Sequence, residues 1–334
     1  MLELTGGLEY KSAFSDMGEI RMSDTSQIAA AAKTAESAPE GPAEPRFRLN
    51  DYAMLLKPRI LSLVVMTGLV GTLMAPGGGD ALTGLISVLC IAIAAGSAGA
   101  INMWYDRDID LVMRRTQHRP IPSGRVDPRV ALGYGLFLGI GSVWMMAAHV
   151  SFVAAGLLLF SIFYYVVIYT AWLKRRTPQN IVIGGAAGAF PPLIGWVAVT
   201  GSFDPGAIAL FMIIFLWTPP HSWALALFRK EDYANASVPM LPVVSGERET
   251  KRQMLIYTVL MILSTFAPVA LGVSGLIYGV IAACLNYRFW VLNWRVWKAE
   301  GDKHSKQLFL YSILYLFLIF LAMVADRMLF VPVI

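Results

Sequence analysis

The chain contains 334 residues, of which 57% are hydrophobic and only 15% are charged. A soluble globular protein is excluded, because its surface would need more charged residues than this chain carries. The net charge of +5 indicates contact with anionic lipid, and no other feature of the sequence favours a nucleic-acid partner.

The first 45 residues are rich in Ala, Ser, Gly, Pro and acidic residues. They lack the apolar block of a secretory signal peptide, and their acidic residues argue against a transit peptide. We expect residues 1–45 to form a disordered cytoplasmic tail and residues 46–334 to form one transmembrane domain.

Apolar runs dominate the rest of the chain. Each is about as long as the roughly 20 residues that a helix needs to cross a bilayer. The sequence therefore predicts an all-α, polytopic membrane protein with nine transmembrane helices. The predicted spans are 59–76, 82–103, 130–149, 151–171, 181–200, 206–227, 254–272, 274–292 and 308–330.

Basic residues are concentrated on one side of the predicted membrane. With the tail in the cytoplasm, every Lys and Arg except Arg327 lies on or near the cytoplasmic side. This asymmetry predicts a cytoplasmic N-terminus and an outer C-terminus in a bacterial inner membrane. The middle of every predicted span lacks Asp, Glu, Lys and Arg, which argues against an ion-coupled transporter. We therefore expect the active site at the cytoplasmic ends of the helices.

Three polar side chains end the second predicted span at intervals of four residues: Asn102, Asp106 and Asp110. At about 100° per residue, this spacing keeps all three on one helical stripe, so they can converge on one site. Oxygen ligands on a short stripe suit Mg²⁺, which prefers one or two carboxylates completed by water and substrate phosphates. The alternative is a solvated acidic turn balanced by bases such as Arg107, which is itself a candidate for substrate binding.

Basic residues accompany the acidic stripe and two further span ends. Arg115 and Arg119 follow the stripe, and we expect them to clamp phosphate oxygens and stabilise a leaving diphosphate. The fourth span ends in Lys174-Arg175, and the sixth continues into Arg229-Lys230 with Asp232 shortly after. Two facing half-sites, each with acid and base, would enclose one diphosphate. The alternative for each base is a charge that only fixes membrane orientation.

The residues of the stripe and the loop after it carry a family resemblance. The motif N-x3-D-x3-D beginning at Asn102, followed by R-T-x-x-R-P from Arg115, resembles the first signature of the UbiA superfamily of intramembrane prenyltransferases. Three further stretches, within 169–181, 184–192 and 221–242, resemble the branch of this family that prenylates haem. Together the matching stretches cover most of the predicted transmembrane domain.

The resemblance implies a UbiA-like bundle that transfers a farnesyl group from farnesyl diphosphate to a vinyl group of protohaem IX (haem b). The products would be haem O and diphosphate, and Mg²⁺ would be required. Expected partners are the two substrates, membrane lipid, and haem A synthase or oxidase assembly factors. Carried onto this chain, the family's site residues are the metal group Asn102, Asp106, Asp110 and Asp232, and the phosphate-binding group Arg115, Arg119, Lys174, Arg175, Arg229 and Lys230.

Three other side chains near the expected site are candidates for substrate binding. His221 lies about two turns before the end of the sixth span. Four roles are open for it: packing between helices, contact with the acceptor, proton transfer, and ligation of haem iron. Trp223 and Tyr169 are interfacial residues or line a water-poor pocket, where aromatic faces shield an allylic cation.

The chain departs from the family pattern after the sixth span. Ser222 stands where Phe is frequent, and Ser237 where Gly is usual. Relatives outside the haem branch carry a second Asp-rich motif, but Ala236 stands four residues after Asp232, which makes Glu231 a further candidate ligand. Two other functions stay open: prenylation of a quinone or chlorophyll precursor by the same bundle, and transport of haem or lipid.

Overall fold

The computed structural model describes residues 48–78 and 80–329, and every regular element in these ranges is a helix. The predicted tail, residues 1–45, lies outside the described residues. The elements are α1 (Leu49–Leu55), α2 (Pro58–Met74), α3 (Ala81–Tyr105), α4 (Arg107–Val112), α5 (Pro128–His149), α6 (Phe152–Phe163), a π-helix (Tyr164–Leu173), α7 (Asn180–Gly184), α8 (Ala186–Thr200), α9 (Pro205–Phe228), α10 (Lys230–Asn235), α11 (Leu241–Val244), α12 (Gly246–Thr265), α13 (Ala267–Ala270), α14 (Leu276–Lys298) and α15 (Asp302–Leu329).

The helices provide eight spans that are long and apolar enough to cross a membrane, and a ninth when α1 and α2 are taken together. These two helices meet at a bend of 54°. Three spans are composite, because α6 continues into the π-helix, α7 into α8, and α12 into α13. The described residues confirm the predicted all-α polytopic architecture, and the chain is an integral membrane protein.

The span formed by α7 and α8 is the most deeply buried of the eight, and α8 packs directly against α2. A Cβ atom at Gly71 would lie 2.1 Å from the carbonyl oxygen of Pro192, and one at Gly195 would lie 2.2 Å from that of Gly68. Only glycine permits backbones to approach this closely, as small residues commonly do where membrane helices associate. The contact fixes α2 and α8 side by side.

Two spans end in the same way. Helix α3 is followed after one residue by the short helix α4, and α9 is followed after one residue by the short helix α10. Each short helix has six residues and carries a buried aspartate, Asp110 in α4 and Asp232 in α10. The repeated plan places acidic side chains just beyond the ends of the second and sixth spans, as the sequence predicts.

Candidate active site

The acidic stripe is buried where α3 passes into α4. Asn102, Asp106 and Asp110 are 4%, 0% and 2% exposed. The backbone N–H of Asp106 donates to the Asn102 carbonyl at 2.9 Å, and that of Asp110 donates to the Asp106 carbonyl at 2.8 Å. Helical hydrogen bonding therefore continues from α3 into α4 and keeps the three side chains on one face. Asn102 Nδ2 donates to Asp106 Oδ2 at 2.8 Å.

The π-helix positions a second element against the stripe. Its wider turn lets Thr170 Oγ1 donate to the carbonyl of Tyr165, five residues earlier, at 2.8 Å. The same hydroxyl accepts a hydrogen bond from Asn102 Nδ2 at 3.0 Å. π-Helical turns are rare and frequently occur at functional sites. Here the turn orients the Asn102 amide and ends immediately before Lys174, whose ammonium group pairs with Asp106 Oδ2.

Arg175 links the buried carboxylate to the protein surface. Its Nη1 and Nη2 atoms form a fork on Asp108 at 2.8 and 2.7 Å, and Nη2 lies 3.7 Å from Asp106 Oδ1. The hydrogen bond from Arg175 lowers the pKa of Asp108, and in turn the bond to Asp108 raises the pKa of Arg175. Asp108 is 62% exposed, which fits a partner for bases better than a metal ligand.

The loop after α4 ties the two acidic segments together. Arg119 Nη1 donates to Asp110 Oδ2 at 2.7 Å. Arg115 Nη2 donates to the hydroxyl of Tyr233 at 3.3 Å, and its guanidinium lies 5.6 Å from the centre of that ring. Because Tyr233 follows Asp232 directly in α10, the loop that serves the first half-site also contacts the second.

The second half-site is less tightly paired than the first. Asp232 is 7% exposed, and its Oδ2 atom has no hydrogen-bond partner within the described chain. Arg229 Nη1 approaches that oxygen to 3.7 Å, whereas Lys230 Nζ lies 3.6 Å from Glu247 Oε1. A buried carboxylate oxygen without a donor is costly, so Asp232 offers an oxygen ready for a cation.

Lys57 is a part of the site that sequence reasoning missed. Its Nζ atom donates to Asn102 Oδ1 at 2.6 Å, and its aliphatic stem lies against Gly99. The backbone is left-handed, with φ 55° and ψ 59°, directly before Pro58. Such a conformation costs a non-glycine residue of order 1–3 kcal/mol and typically marks functional sites. Sequence reasoning misses Lys57 because a lysine beside an apolar run resembles a membrane anchor. The one signal in the sequence is Pro58 directly after Lys57, which marks the bend between α1 and α2.

An apolar cavity of about 150 Å³ begins at this polar cluster. It lies between α2, α3, α8 and the span formed by α6 and the π-helix. Lys57 and Tyr165 line it at the end that holds the cluster, while small residues such as Ala98 and Gly188 leave room along its walls. A buried cluster of charged side chains therefore opens onto this apolar cavity, which we call the tunnel. The arrangement suits a substrate with an anionic head and an apolar tail.

Comparison with known proteins agrees with this arrangement. The model of the UbiA prenyltransferase family matches residues 64–321. The chain belongs to this family. It is 54% identical to the protoheme IX farnesyltransferase of Granulibacter bethesdensis over 286 residues, which cover 83% of this chain and 90% of that protein.

Solved structures show that the fold is the one found in UbiA proteins. A digeranylgeranylglyceryl phosphate synthase superposes with a TM-score of 0.71 at 18% identity, covering 84% of this chain and 99% of the other. A UbiA homolog from Archaeoglobus fulgidus, bound to DMAPP and Mg²⁺, superposes with a TM-score of 0.60 at 17% identity, covering 82% and 99%.

In this UbiA-family chain His221 lies in an aromatic stack between α9 and α15. Its ring stacks on Trp217 and Phe309, with centroids 4.2 and 4.8 Å away. Its Nδ1 atom lies 2.6 Å from Ser312 Oγ, whose own hydroxyl donates to the Phe309 carbonyl. Both ring faces are covered, as the packing alternative predicts.

The two aromatic candidates have different surroundings. Trp223 is 1% exposed and packs edge-on against Tyr257 of α12 at 5.6 Å, in the core of the bundle. Tyr169 lies beside Tyr165 at 5.5 Å, and its ring covers Gly184 so closely that a Cβ there would be 2.1 Å away. Tyr169 thus lies next to Tyr165, which lines the tunnel. Trp223 instead packs α9 against α12.

Arg107 extends along the helix end and not into the acidic stripe. Its Nη1 donates to the Trp104 carbonyl at 2.8 Å, and its guanidinium lies 5.4 Å from the centre of the Trp104 ring. The residue is exposed. The structure thus gathers Arg119, Lys174 and Arg175 around Asp106 and Asp110, and leaves Arg107 outside them.

The oxygen atoms suit a hard divalent cation that brings ligands of its own. Within residues 48–78 and 80–329, no group of three or more His, Cys, Asp or Glu side chains could hold a metal ion alone. Mg²⁺ needs no such cage, because one or two carboxylates plus water and phosphate oxygens complete its shell. Asp106 Oδ1 and Asp232 Oδ2 are both buried without a hydrogen-bond partner among the described residues, which fits this chemistry.

Proposed function

We propose that this chain transfers a farnesyl group from farnesyl diphosphate to a vinyl group of protohaem IX, giving haem O and diphosphate. The similarity to the protoheme IX farnesyltransferase of Granulibacter bethesdensis over 90% of that protein supports the choice of substrates. The observation that carries the proposal is the junction of a buried acid and base cluster with an apolar tunnel at Lys57.

The proposed metal ligands are Asn102, Asp106, Asp110 and Asp232, and the proposed ion is Mg²⁺. A UbiA homolog of the same fold binds DMAPP and Mg²⁺, which supports this choice. When bound, the ion would neutralise the charge that develops on the leaving diphosphate. Its ligands would meet it from the ends of α3 and α9.

In the proposed scheme the basic residues bond protein oxygens in the free enzyme and phosphate oxygens once the substrate is bound. In the structure Lys57 bonds Asn102, Lys174 pairs with Asp106, and Arg119 pairs with Asp110. The last two contacts compensate carboxylates that would otherwise be buried without partners. On substrate binding, the cations would exchange these oxygens for phosphate oxygens and release the first set to the metal. Charged groups preorganised in this way stabilise a departing anion most effectively in a dry site.

The remaining steps follow from the chemistry of the two substrates. The bond between farnesyl C1 and oxygen breaks, and its electron pair leaves with the diphosphate. The π electrons of the vinyl group form the new carbon–carbon bond to C1, and water captures the cation left beside the porphyrin with loss of a proton. The tunnel excludes water from the allylic cation until the acceptor attacks. No protein nucleophile is needed.

One assay tests this proposal. Purified protein is incubated anaerobically with farnesyl diphosphate, Mg²⁺ and either haem b or 4-hydroxybenzoate, and the products are analysed by mass. We expect farnesylated haem in the first reaction and no prenylated product in the second. Prenylation of the benzoate alone would overturn the choice of acceptor, and the absence of both products would overturn the proposed activity.

Membrane orientation completes the proposal. We propose that the N-terminus and the active site face the cytoplasm of a bacterial inner membrane, because the basic residues are concentrated on that side. Cysteine labelling from each side of sealed vesicles tests this. Labelling at the loop between α4 and α5 from the periplasmic side would contradict it.

A further inference from the structure

Two cations of the candidate site come from separate segments that both lie against the acidic stripe. Lys57 follows α1 and donates to Asn102 Oδ1 at 2.6 Å. Arg119 lies in the loop between α4 and α5 and donates to Asp110 Oδ2 at 2.7 Å. Their two acceptors are eight residues apart in sequence, which is about 12 Å along a helix. One diphosphate can be bound by both cations only if α1 and the loop keep a defined spacing.

An ion pair joins the two segments. Arg125 Nε, in the loop, donates at 2.8 Å to Oδ1 of Asp51, which lies in α1 and is 4% exposed. The same guanidinium reaches back along the loop, where Nη2 donates to the carbonyl of His118 at 3.0 Å. Arg125 therefore holds α1 with one nitrogen and the residue before Arg119 with another. We call Asp51 and Arg125 the bridge.

Short backbone paths lead from the bridge to both cations. On α1, the N–H of Lys57 donates to the carbonyl of Met54 at 3.1 Å, about one turn after Asp51. In the loop, the N–H of Val126 donates to the carbonyl of Pro120 at 3.1 Å. These two residues directly follow the bridge arginine and the loop cation, so the bond closes the loop between them. A shift at the bridge is therefore passed on to both cations.

A small hydrophobic core lies beside the bridge. Leu55 of α1 forms one buried cluster with Ile121 and Val126 of the loop, and with Ala100 and Met103 near the end of α3. Apolar packing holds the two segments together but has no preferred direction. A hydrogen-bonded ion pair has a defined length and angle. The core therefore keeps α1 and the loop in contact, and the bridge fixes how they are aligned.

We propose that the bridge is a positioning pair, which sets Lys57 and Arg119 at the spacing that one diphosphate requires. The inference rests on the proposed function, because it takes the two cations as ligands of the diphosphate. Asp51 and Arg125 act through these cations and do not touch the substrate. Ion pairs with a buried partner often add little net stability, so stability alone does not account for a buried aspartate here.

The test measures the donor and the acceptor separately. Initial rates are recorded for wild type, Asp51→Asn and Asp51→Glu, with farnesyl diphosphate and haem b varied in turn. We expect Asp51→Asn to raise KM for farnesyl diphosphate on the order of tenfold, because misplacing a binding group by about 1 Å costs up to about a hundredfold. KM for haem b should stay the same. Asp51→Glu keeps the charge and should restore most of the wild-type value.

Asp326→Asn is the matched control for a loss of stability alone. Asp326 is also 4% exposed, but it accepts hydrogen bonds from the backbone N–H groups of Gly275 and Tyr278. These lie at the start of α14, which is on the opposite side of the bundle from the end of α3 because successive spans alternate in direction. We expect Asp326→Asn to lower the thermal unfolding temperature and to leave both KM values unchanged. If Asp51→Asn does the same, the bridge is only structural and the proposal fails.

A double variant keeps the inference testable if Asp51→Asn does not fold. Combining Asp51→Asn with Arg125→Gln removes both charges, so no unpaired charge stays buried. We expect the same selective rise in KM for farnesyl diphosphate. A folded double variant with the wild-type KM would overturn the proposal.

Binding of a donor analogue separates this inference from the proposed function. Farnesyl thiolodiphosphate is titrated with Mg²⁺ into wild type and Asp51→Asn in the absence of haem, and we expect the variant to bind on the order of tenfold more weakly. If wild type makes no farnesylated haem but the analogue shows this shift, the acceptor is wrong and the bridge assignment stands. If wild type farnesylates haem and folded Asp51→Asn binds the analogue like wild type, the bridge assignment fails alone.

Discussion

The charge on Asp106 is the feature whose removal should damage the reaction most. The Asp106→Asn variant keeps the size of a fully buried side chain but removes the partner of Lys174 and an unpaired oxygen. Two unit charges at about 4 Å interact by about 4 kcal/mol at an effective dielectric constant of about 20. Part of this stabilisation is available to the transition state through the proposed cation. We therefore expect kcat/KM to fall about 10²–10³-fold, equivalent to about 3–4 kcal/mol.

The control is Asp108→Asn, the same chemical change two residues away. Asp108 shares Arg175 with Asp106, but its side chain is 62% exposed, so its ion pair is worth at most about 1 kcal/mol. We expect at most a fivefold loss of kcat/KM. Initial rates of farnesyl transfer to haem b give both values, and size-exclusion profiles check that each purified variant is folded. Equal losses in the two variants, or an Asp106→Asn enzyme within tenfold of wild type, would refute the reasoning.

Three further changes have defined outcomes. Lys57→Met should raise KM for farnesyl diphosphate about ten- to a hundredfold, because a charge-assisted hydrogen bond is worth about 1.5–3 kcal/mol. An unchanged KM in initial-rate assays would show that Lys57 does not bind the diphosphate. Thr170→Val should weaken activation by Mg²⁺ several-fold, since Asn102 loses an acceptor worth about 1 kcal/mol; a magnesium titration of the rate measures this. Gly71→Ala should lower the thermal unfolding temperature sharply because a methyl group would meet the backbone of α8 at 2.1 Å, whereas Gly141→Ala, with open space around it, should not; equal melting temperatures would contradict the packing.

The sequence predicts the spans and the acidic stripe for physical reasons. An apolar run of about twenty residues has few alternatives to a membrane helix. The i, i+4, i+8 spacing of Asn102, Asp106 and Asp110 brings their side chains together as long as helical hydrogen bonding continues through Asp110, and the backbone hydrogen bonds show that it does. Arg119 lies close to the stripe in sequence, so its contact with Asp110 is nearly local.

The rest depends on contacts that the sequence does not display. The π-helix Tyr164–Leu173 is not visible in the sequence, because its residues are as apolar as those of the α-helical spans. Lys57 reaches Asn102 through a backbone bend across 45 positions of sequence. Trp223 lies near the inner end of a span in the sequence, where an aromatic side chain is either interfacial or lines a pocket, but in the structure it packs in the core against Tyr257.

The most direct test of the account is an experimental structure with the farnesyl thiolodiphosphate analogue and Mg²⁺ bound. The account predicts a diphosphate between Asp106 and Asp232, contacted by Lys57, with the prenyl chain in the apolar cavity between α2, α3 and α8. A diphosphate elsewhere in the bundle, or a chain leaving the site along another face of α3, would contradict it.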